Sequence, residues 1–283
     1  MQSSESDLLS LLSFWWVLLG ITVFLGGCVG SFLNVVAWRL PAGQSVVSPP
    51  SACPACRTKI RPWDNIPVLS WLLLRGKCRD CSQPISPRYP LVEALCAMIW
   101  AAVFHHFVPG PAQLYSLEVL GLVVIYGLFF SALLAMSLID ADHFIIPDVI
   151  SLPLIPLGIA TTALLNLWEL APISVSSSIF GATAGAGIML AIALLGRLLF
   201  GREAMGMGDV KLVAAIGAWQ GFLPALPLTI FLGSLFGSIL GIGSTLVRGG
   251  KPPKLPFGPY LCAGALAAWL FGEQIVRWMI PDM

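Results

Sequence analysis

Hydrophobic and polar residues fall in long blocks along this chain and do not alternate with a helical or strand period. Eight apolar stretches are separated by short polar segments, at approximately residues 14–37, 90–107, 115–139, 149–168, 177–200, 210–222, 224–247 and 258–280. About 20 apolar residues in a helix are enough to cross the ~30 Å hydrocarbon core of a bilayer. The pattern therefore predicts an all-α polytopic membrane protein with about eight transmembrane helices.

The sixth and seventh stretches allow more than one interpretation. The sixth is shorter than the others, and Pro224 separates it from the seventh. Proline interrupts the hydrogen-bond ladder of a helix. The pair is therefore either two helices, one broken span or a re-entrant hairpin, and the pattern leaves these alternatives open.

Composition supports a membrane location. Hydrophobic residues make up 57% of the chain and charged residues only 10%, and the mean hydropathy is +0.88. Such proportions suit lipid as the solvent and would cause aggregation in water. Basic and aromatic residues are not interleaved, so we expect membrane lipid as a partner and no nucleic acid.

The distribution of positive charge predicts an orientation. With eight spans, every lysine and arginine except Arg277 falls on one side of the membrane. Positively charged loops remain in the cytoplasm, so both termini are predicted to be periplasmic. No basic residue precedes Arg39, unlike a secretory signal peptide, and the first stretch is expected to remain as an anchor.

One cytoplasmic loop, residues 42–89, contains two pairs of cysteines. Cys53 and Cys56 form one C-x2-C pair, Cys78 and Cys81 form the other, and 21 residues separate the inner cysteines. Two such pairs can supply four thiolates at the corners of a tetrahedron, the arrangement that Zn²⁺ prefers. We predict a zinc-ribbon-like loop. Two disulfides are the alternative, which a reducing cytoplasm disfavours.

Aspartates stand at the ends of two apolar stretches. Asp140 closes the third stretch and Asp209 opens the sixth, so both lie at the cytoplasmic border in the eight-span topology. Two carboxyl groups in contact can hydrolyse a peptide bond when one is ionised and the other protonated. Asp142 points to nearly the opposite side of a helix from Asp140, and the spacing alone does not choose between them.

Two other interpretations of these carboxylates remain. They could be solvated interface residues, and Asp148, which follows Pro147, is typical of a helix N-cap. They could also relay protons in a coupled transporter. Transporter sites gather near the bilayer midplane in repeated halves, whereas these aspartates lie at one border and no inverted repeat is evident.

Ordered motifs extend over nearly the whole chain. They are Gly30–Val36 with Arg39–Pro41, the four cysteines, Arg88–Glu93, Asp140 seven residues before Pro147, Gly206–Lys211, and Pro256–Leu261. In these motifs the chain resembles the bacterial type IV prepilin peptidases, also called leader peptidase/N-methyltransferases, which are GxGD aspartyl proteases.

The resemblance implies two activities in the bacterial inner membrane. The enzyme would cleave the basic leader of prepilins, or of type II secretion pseudopilins, after a glycine. It would then methylate the new N-terminal residue with S-adenosylmethionine. The catalytic aspartates of the family correspond to Asp140 and Asp209, which decides against Asp142. A GxGD protease without methyltransferase activity is the main alternative, and a transporter the weaker one.

The resemblance also associates methyl transfer with the loop that carries the cysteines. Candidate contacts to the methyl donor are Gly76, Lys77 and Glu93, although Glu93 could simply pair with Arg88. Relatives often carry an acidic residue just before the first cysteine pair, where this chain has Pro50, Ser51 and Ala52. The predicted division is residues 1–41 as tail and first helix, 42–89 as zinc loop, and 90–283 as protease domain.

Overall fold

The computed structural model describes residues 2–111, 117–201, 205–248 and 255–279. Over these residues the fold is helical and contains no β-strand, only two isolated β-bridges in the loop between the first two long helices. The α-helices are α1 (Gln2–Arg39), α2 (Leu69–Leu73), α3 (Arg88–Phe107), α4 (Leu117–His143), α5 (Asp148–Leu167), α6 (Val175–Phe200), α7 (Met207–Gln220), α8 (Ala225–Arg248) and α9 (Gly258–Met279). A 3₁₀ turn at Pro62–Asn65 precedes α2.

Apart from the five-residue α2, each α-helix coincides with one of the eight predicted apolar stretches. This agreement confirms the all-α membrane fold. In the described part of the chain, six of them are long and apolar enough to cross a membrane, namely α1 from Leu12 onward, α3, α4, α5, α6 and α8. The helix α7 has only 14 residues, about 21 Å at 1.5 Å per residue, and α9 carries Glu273 and Arg277 in its last turns. The predicted eight spans are thus eight helices, of which six qualify as spans on their own.

The helices α7 and α8 are separate, which decides one alternative that the pattern left open. The helix α7 ends at Gln220, Gly221 adopts a left-handed φ of 76°, and α8 begins at Ala225. Ten of the 14 residues of α7 are buried, namely Val210 and all of residues 212–220. Because α5, α6, α8 and α9 all contact it, this short helix lies at the centre of its part of the fold.

A glycine pair allows α6 and α7 to pack backbone to backbone. A Cβ atom at Gly217 of α7 would overlap the carbonyl oxygen of Gly181 in α6, and a Cβ atom at Gly181 would overlap that of Gly217. Small residues let membrane helices approach backbone to backbone. The packing of α6 on α7 therefore depends on the absence of side chains at these two positions.

The chain divides into two compact units, residues 1–135 and 136–283. In the first unit α1 packs on α3, and the buried Trp100 of α3 donates a hydrogen bond of 2.9 Å to Ser131 Oγ of α4. The second unit holds the end of α4 and the helices α5 to α9. These two units are defined by which residues pack together. The division predicted from the sequence, after residues 41 and 89, separates functions and stays a prediction.

Candidate active site and metal centre

Asp140 lies near the C-terminal end of α4 and is turned into the second unit. Only 6% of this residue is exposed. Its Oδ2 accepts a hydrogen bond of 2.9 Å from the backbone N–H of Gly258, the first residue of α9. A Cβ atom at position 258 would lie 2.7 Å from that oxygen, so the contact requires a glycine.

Asp209 lies in the first turn of α7. The helix begins after Gly206, whose extended backbone (φ −75°, ψ 148°) forms the N-cap. The first N–H groups of a helix have no intrahelical acceptor and carry partial positive charge. A carboxylate in the first turn is therefore electrostatically favourable, and the half-buried Asp209 occupies that position.

The two glycines of the Gly206–Lys211 motif have different surroundings. A Cβ atom at Gly208 would lie 2.9 Å from Ile146 Cβ, because the segment between α4 and α5 packs on this position. A Cβ atom at Gly206 would have no neighbour closer than 3.9 Å, and one of those neighbours is Asp209 Oδ2. Gly208 thus serves the fold, while the backbone at Gly206 is open beside the carboxylate.

The fold brings Asp140 and Asp209 within range of each other's charge although 69 positions separate them in the sequence. The buried thiol of Cys262 in α9 lies within range of both carboxyl groups. Asp142 is exposed on the other side of α4. Three elements, α4, α7 and α9, therefore converge on one pair of carboxyl groups.

A salt bridge fixes α7 to α5 next to this pair. Lys211 Nζ lies 2.7 Å from Asp148 Oδ1. The N-cap of α5 is Pro147 and its side chain makes no capping bond, so the interpretation of Asp148 as N-cap was wrong by one residue. Asp148 is the first helical residue instead, and its carboxylate binds the lysine of the Gly206–Lys211 motif.

Sequence reasoning missed the role of α9. The segment Pro256–Leu261 was recognised only as a motif, and Cys262 gave no signal beyond its apolar surroundings. In the structure this segment supplies the Gly258 N–H to Asp140 and places the Cys262 thiol near both carboxyl groups. The unusual glycine between two prolines was a usable signal, because glycine at a helix start often permits close approach to another group.

The four loop cysteines form one cluster. Their Sγ atoms all lie within 4.8 Å of one another. Two separations between the pairs are 3.7 Å, from Cys53 to Cys81, and 4.0 Å, from Cys56 to Cys78. Zinc–sulfur bonds of ~2.3 Å in a tetrahedron place sulfurs about 3.8 Å apart. The cluster therefore has the dimensions of a tetrathiolate metal site, and no disulfide links these four residues.

Each cysteine pair is held by the same turn. The N–H of the residue after the second cysteine donates to the carbonyl of the first, from Arg57 to Cys53 at 2.9 Å and from Ser82 to Cys78 at 3.0 Å. Arg57 and Ser82 both adopt left-handed backbones, with φ of 61° and 59°. An isolated β-bridge closes each turn, so the two halves of the cluster are structurally alike.

The three candidate contacts to a methyl donor have distinct surroundings. Gly76 is buried in a turn with φ of 68°, where a Cβ atom would lie 2.8 Å from the ring of Trp71. Lys77 is exposed. Glu93 Oε2 accepts a hydrogen bond of 2.7 Å from the backbone N–H of Val68. Gly76 and Glu93 thus stabilise the loop, and a direct role for them in binding stays a prediction.

Two protein families match separate parts of the chain. The family described as the bacterial peptidase A24 N-terminal domain matches residues 24–107. The type IV leader peptidase family matches residues 127–242. No solved structure matches the chain.

Curated relatives match over almost their full length. A prepilin leader peptidase/N-methyltransferase of Pseudomonas aeruginosa is 41% identical, over 90% of this chain and 91% of the relative. The proteins of the same name from Aeromonas hydrophila and Burkholderia pseudomallei are 37% and 38% identical, and the alignments cover 94% and 90% of this chain. By these matches, the chain belongs to the type IV leader peptidase family.

Proposed function

We propose that this protein is a prepilin leader peptidase and N-methyltransferase of the bacterial inner membrane. The observation that carries the proposal is the pair Asp140 and Asp209, which α4 and α7 bring within range of each other's charge in a chain of this family. Its substrates are prepilins, and type II secretion pseudopilins with the same type of leader. It cleaves after a glycine and methylates the new N-terminus.

The two aspartates supply general acid–base catalysis. One ionised carboxylate removes a proton from water as the oxygen attacks the scissile carbonyl carbon, and the protonated partner donates to the carbonyl oxygen. Collapse of the tetrahedral intermediate breaks the C–N bond, and the proton taken from water passes to the leaving amine. Like charges in contact do not both ionise readily, so the pair holds the single proton that this chemistry needs.

The open backbone at Gly206 gives the substrate an approach to the pair. Since the surroundings of Gly208 are filled by Ile146 and those of Gly206 are not, an extended substrate segment lies along Gly206, beside Asp209. An extended peptide can hydrogen-bond to free backbone groups in the manner of an added strand. A side chain at position 206 would block this approach.

The cysteine cluster holds one Zn²⁺ through Cys53, Cys56, Cys78 and Cys81. Four thiolates complete a tetrahedral shell and leave no position for water, as in structural zinc sites. The metal supplies folding energy to the loop, in which Ser70 and Gly76 are the only buried residues of the described range 42–89. Its contribution to methyl transfer is therefore indirect, through the order it imposes on residues 42–89.

The methyl donor is S-adenosylmethionine, with Gly76, Lys77 and Glu93 as candidate contacts. Bound at these residues, S-adenosylmethionine would supply an electrophilic methyl group to the neutral N-terminal amine of the cleaved substrate. A cavity of about 200 Å³ lies between α1 and the loop and includes Arg39, Pro50 and Ser51. Pockets for ligands of this size usually exceed about 300 Å³, so binding there would require the loop to move.

The proposed topology places both termini in the periplasm and the aspartate pair at the cytoplasmic border. It rests on the positive-inside rule, with α7 and α9 counted as crossing elements. Three of the basic residues that support it, Arg202, Lys251 and Lys254, lie outside the described residues.

Purified protein in detergent, incubated with a prepilin and methyl-labelled S-adenosylmethionine, tests the function. Cleavage after the glycine together with label on the mature N-terminus is the expected result. Cleavage without label indicates a protease that does not methylate. If protein that retains its metal and helix content gives neither product, the proposal is overturned. The Asp209→Asn variant, which is expected not to cleave, serves as the negative control.

A further inference from the structure

Helices α1 and α3 form an antiparallel pair whose two ends are marked by hydrogen bonds. At one end Trp15 Nε1 donates to the carbonyl of Val108 at 3.1 Å. At the other end Asn34 Nδ2 donates to the carbonyl of Tyr89 at 3.2 Å. The 20 residues of α3 between these marks measure about 30 Å, the thickness of the hydrocarbon core. The level of Asn34 and Tyr89 is therefore the cytoplasmic edge of the core.

Part of the loop between α1 and α3 folds back from that level toward the middle of the membrane. Pro67 packs on Gly27 of α1, where a Cβ atom would lie 3.1 Å from Pro67 Cβ. Gly27 is seven residues from Asn34, or about 10 Å along the helix. The next residue, Val68, donates its N–H to Glu93, four residues or about 6 Å beyond Tyr89 on α3. Two different helices thus place this segment inside the cytoplasmic leaflet.

The residues that follow present apolar side chains that no part of their own unit covers. Leu69 and Leu72 of α2 are each 56% exposed, and Leu73 is 82% exposed. The opposite face of α2 is turned inward, because Ser70 is buried and Trp71 Nε1 donates to the carbonyl of Ile85 at 3.0 Å. This five-residue helix therefore has a clear apolar outer face.

The backbone of the segment is suited to a medium without water. In hydrocarbon an N–H group without a partner costs several kcal/mol of free energy. Pro67 has no N–H, and six N–H groups of the segment around it donate within the protein. The donors and acceptors are Ile66 to Ser70 Oγ, Val68 to Glu93, Leu69 to the Pro67 carbonyl, Ser70 to the Ile66 carbonyl, Leu72 to the Val68 carbonyl and Leu74 to the Ser70 carbonyl.

We propose that residues 66–73 form a membrane-embedded segment whose outer face contacts the acyl chains of the cytoplasmic leaflet. Exposed basic residues, Arg75 and Lys77, follow it directly, where they meet the lipid headgroups. The N–H of Gly76 donates to the carbonyl of Trp71 at 2.8 Å, two residues before the Cys78 pair begins. The segment thereby fixes the metal centre at a set height above the bilayer.

A photoreactive benzophenone amino acid at position 73 tests this contact in the full-length protein reconstituted in phospholipid nanodiscs. Ile60, an apolar residue of the same loop that is 42% exposed beside the first cysteine turn, is the control position. Irradiation is expected to attach intact phospholipid at position 73 with at least tenfold higher yield than at position 60. The readout is the mass of the adduct, and it does not depend on catalytic activity.

The other outcomes overturn the proposal. Equal lipid yields at positions 73 and 60 place α2 in water. A crosslinked dimer, or a crosslink to an added prepilin, assigns the apolar face to a second copy or to substrate. Hydroxyl-radical footprinting of the unmodified protein in the same nanodiscs gives a measurement without any substitution. Ile60 is expected to be oxidised, and Leu69, Leu72 and Leu73 are expected to be protected.

Discussion

At the residue scale, one backbone amide and two carboxyl groups define the proposed catalytic centre. The N–H of Gly258 binds Oδ2 of Asp140 at 2.9 Å, and Asp209 interacts with Asp140 through charge. Since the amide cannot rotate away from a helix start, it fixes the orientation of one carboxyl group of the pair. The geometry therefore depends on a residue without a side chain as well as on the two aspartates.

Replacing the aspartates separates their roles from that of their neighbour. Asp140→Asn and Asp209→Asn are each expected to abolish cleavage, because an amide can neither accept the proton from water nor share the proton of the pair. Asp142→Asn should retain most of it, since Asp142 is exposed on the other side of α4. Methylation of an already cleaved substrate should survive in all three. A dead Asp142→Asn variant with an active Asp140→Asn variant would show that the pair was wrongly assigned.

Gly258→Ala should lower kcat for cleavage by about tenfold to a hundredfold and leave KM nearly unchanged. A Cβ atom 2.7 Å from Asp140 Oδ2 displaces the carboxyl group and breaks a hydrogen bond to a charged group, worth about 1.5–3 kcal/mol. The pH profile of kcat should also shift, which a purely structural defect would not cause. Gly187→Ala is the control, because nothing lies within 4 Å of a Cβ atom there. Equal losses in both variants would contradict the positioning role.

At the element scale, the short helix α7 delivers Asp209 and depends on its neighbours for its place. It is too short to span the core alone, and its burial among α5, α6, α8 and α9 replaces the contacts that a longer helix makes with lipid. These contacts include the glycine pair with α6. The loop, in contrast, is organised by its cysteine cluster.

Gly217→Ala tests the contact between α6 and α7. The added methyl group overlaps the backbone of Gly181, and overpacking of this kind typically costs about 1–3 kcal/mol of folding free energy. We expect a lower Tm and reduced cleavage, measured by thermal unfolding in detergent and by the prepilin assay. Gly187→Ala, on the same helix as Gly181, should leave both unchanged. An unaltered Tm for Gly217→Ala would mean that the helices are farther apart than described.

Cys56→Ser tests the metal centre. Purified protein should carry close to one equivalent of zinc, and the variant should lose it, because three thiolates no longer close the tetrahedral shell. Methyl transfer is expected to fall more than cleavage, since the loop loses its order while the helices keep theirs. Zinc content by mass spectrometry and the two activities are the measurements. Metal-free wild-type protein with normal methylation would remove zinc from the proposal.

At the scale of the whole molecule, the orientation in the membrane decides which compartment the proposed catalytic aspartates face. Alkaline phosphatase fused to either end should be active in cells, because that enzyme folds only in the periplasm. A fusion within residues 42–89 should be inactive, as a cytoplasmic loop requires. The reverse pattern would invert the topology and move the aspartate pair to the other border. An active fusion at one end only would mean an odd number of spans.

Much of the fold was accessible from the sequence, and the reasons are local. Apolar blocks of the right length predict helices whatever they pack against, and all eight stretches proved helical. The spacing of Cys53, Cys56, Cys78 and Cys81 predicted their cluster, since each pair forms its own turn. The family prediction is confirmed by the relatives. The start of α5 was misplaced by one residue, because an aspartate after a proline fits either position.

What the sequence by itself determined is what depends on neighbouring residues: the apolar blocks, the turns of the cysteine pairs, and the placing of Asp140 and Asp209 at helix ends. Only the tertiary structure decided what depends on distant ones. The contact of Gly258 with Asp140 joins positions 118 residues apart, and the return of Pro67 to Gly27 joins the loop to the middle of α1. Neither leaves a periodic trace in the sequence, because each arises from helix packing that brings single backbone groups together.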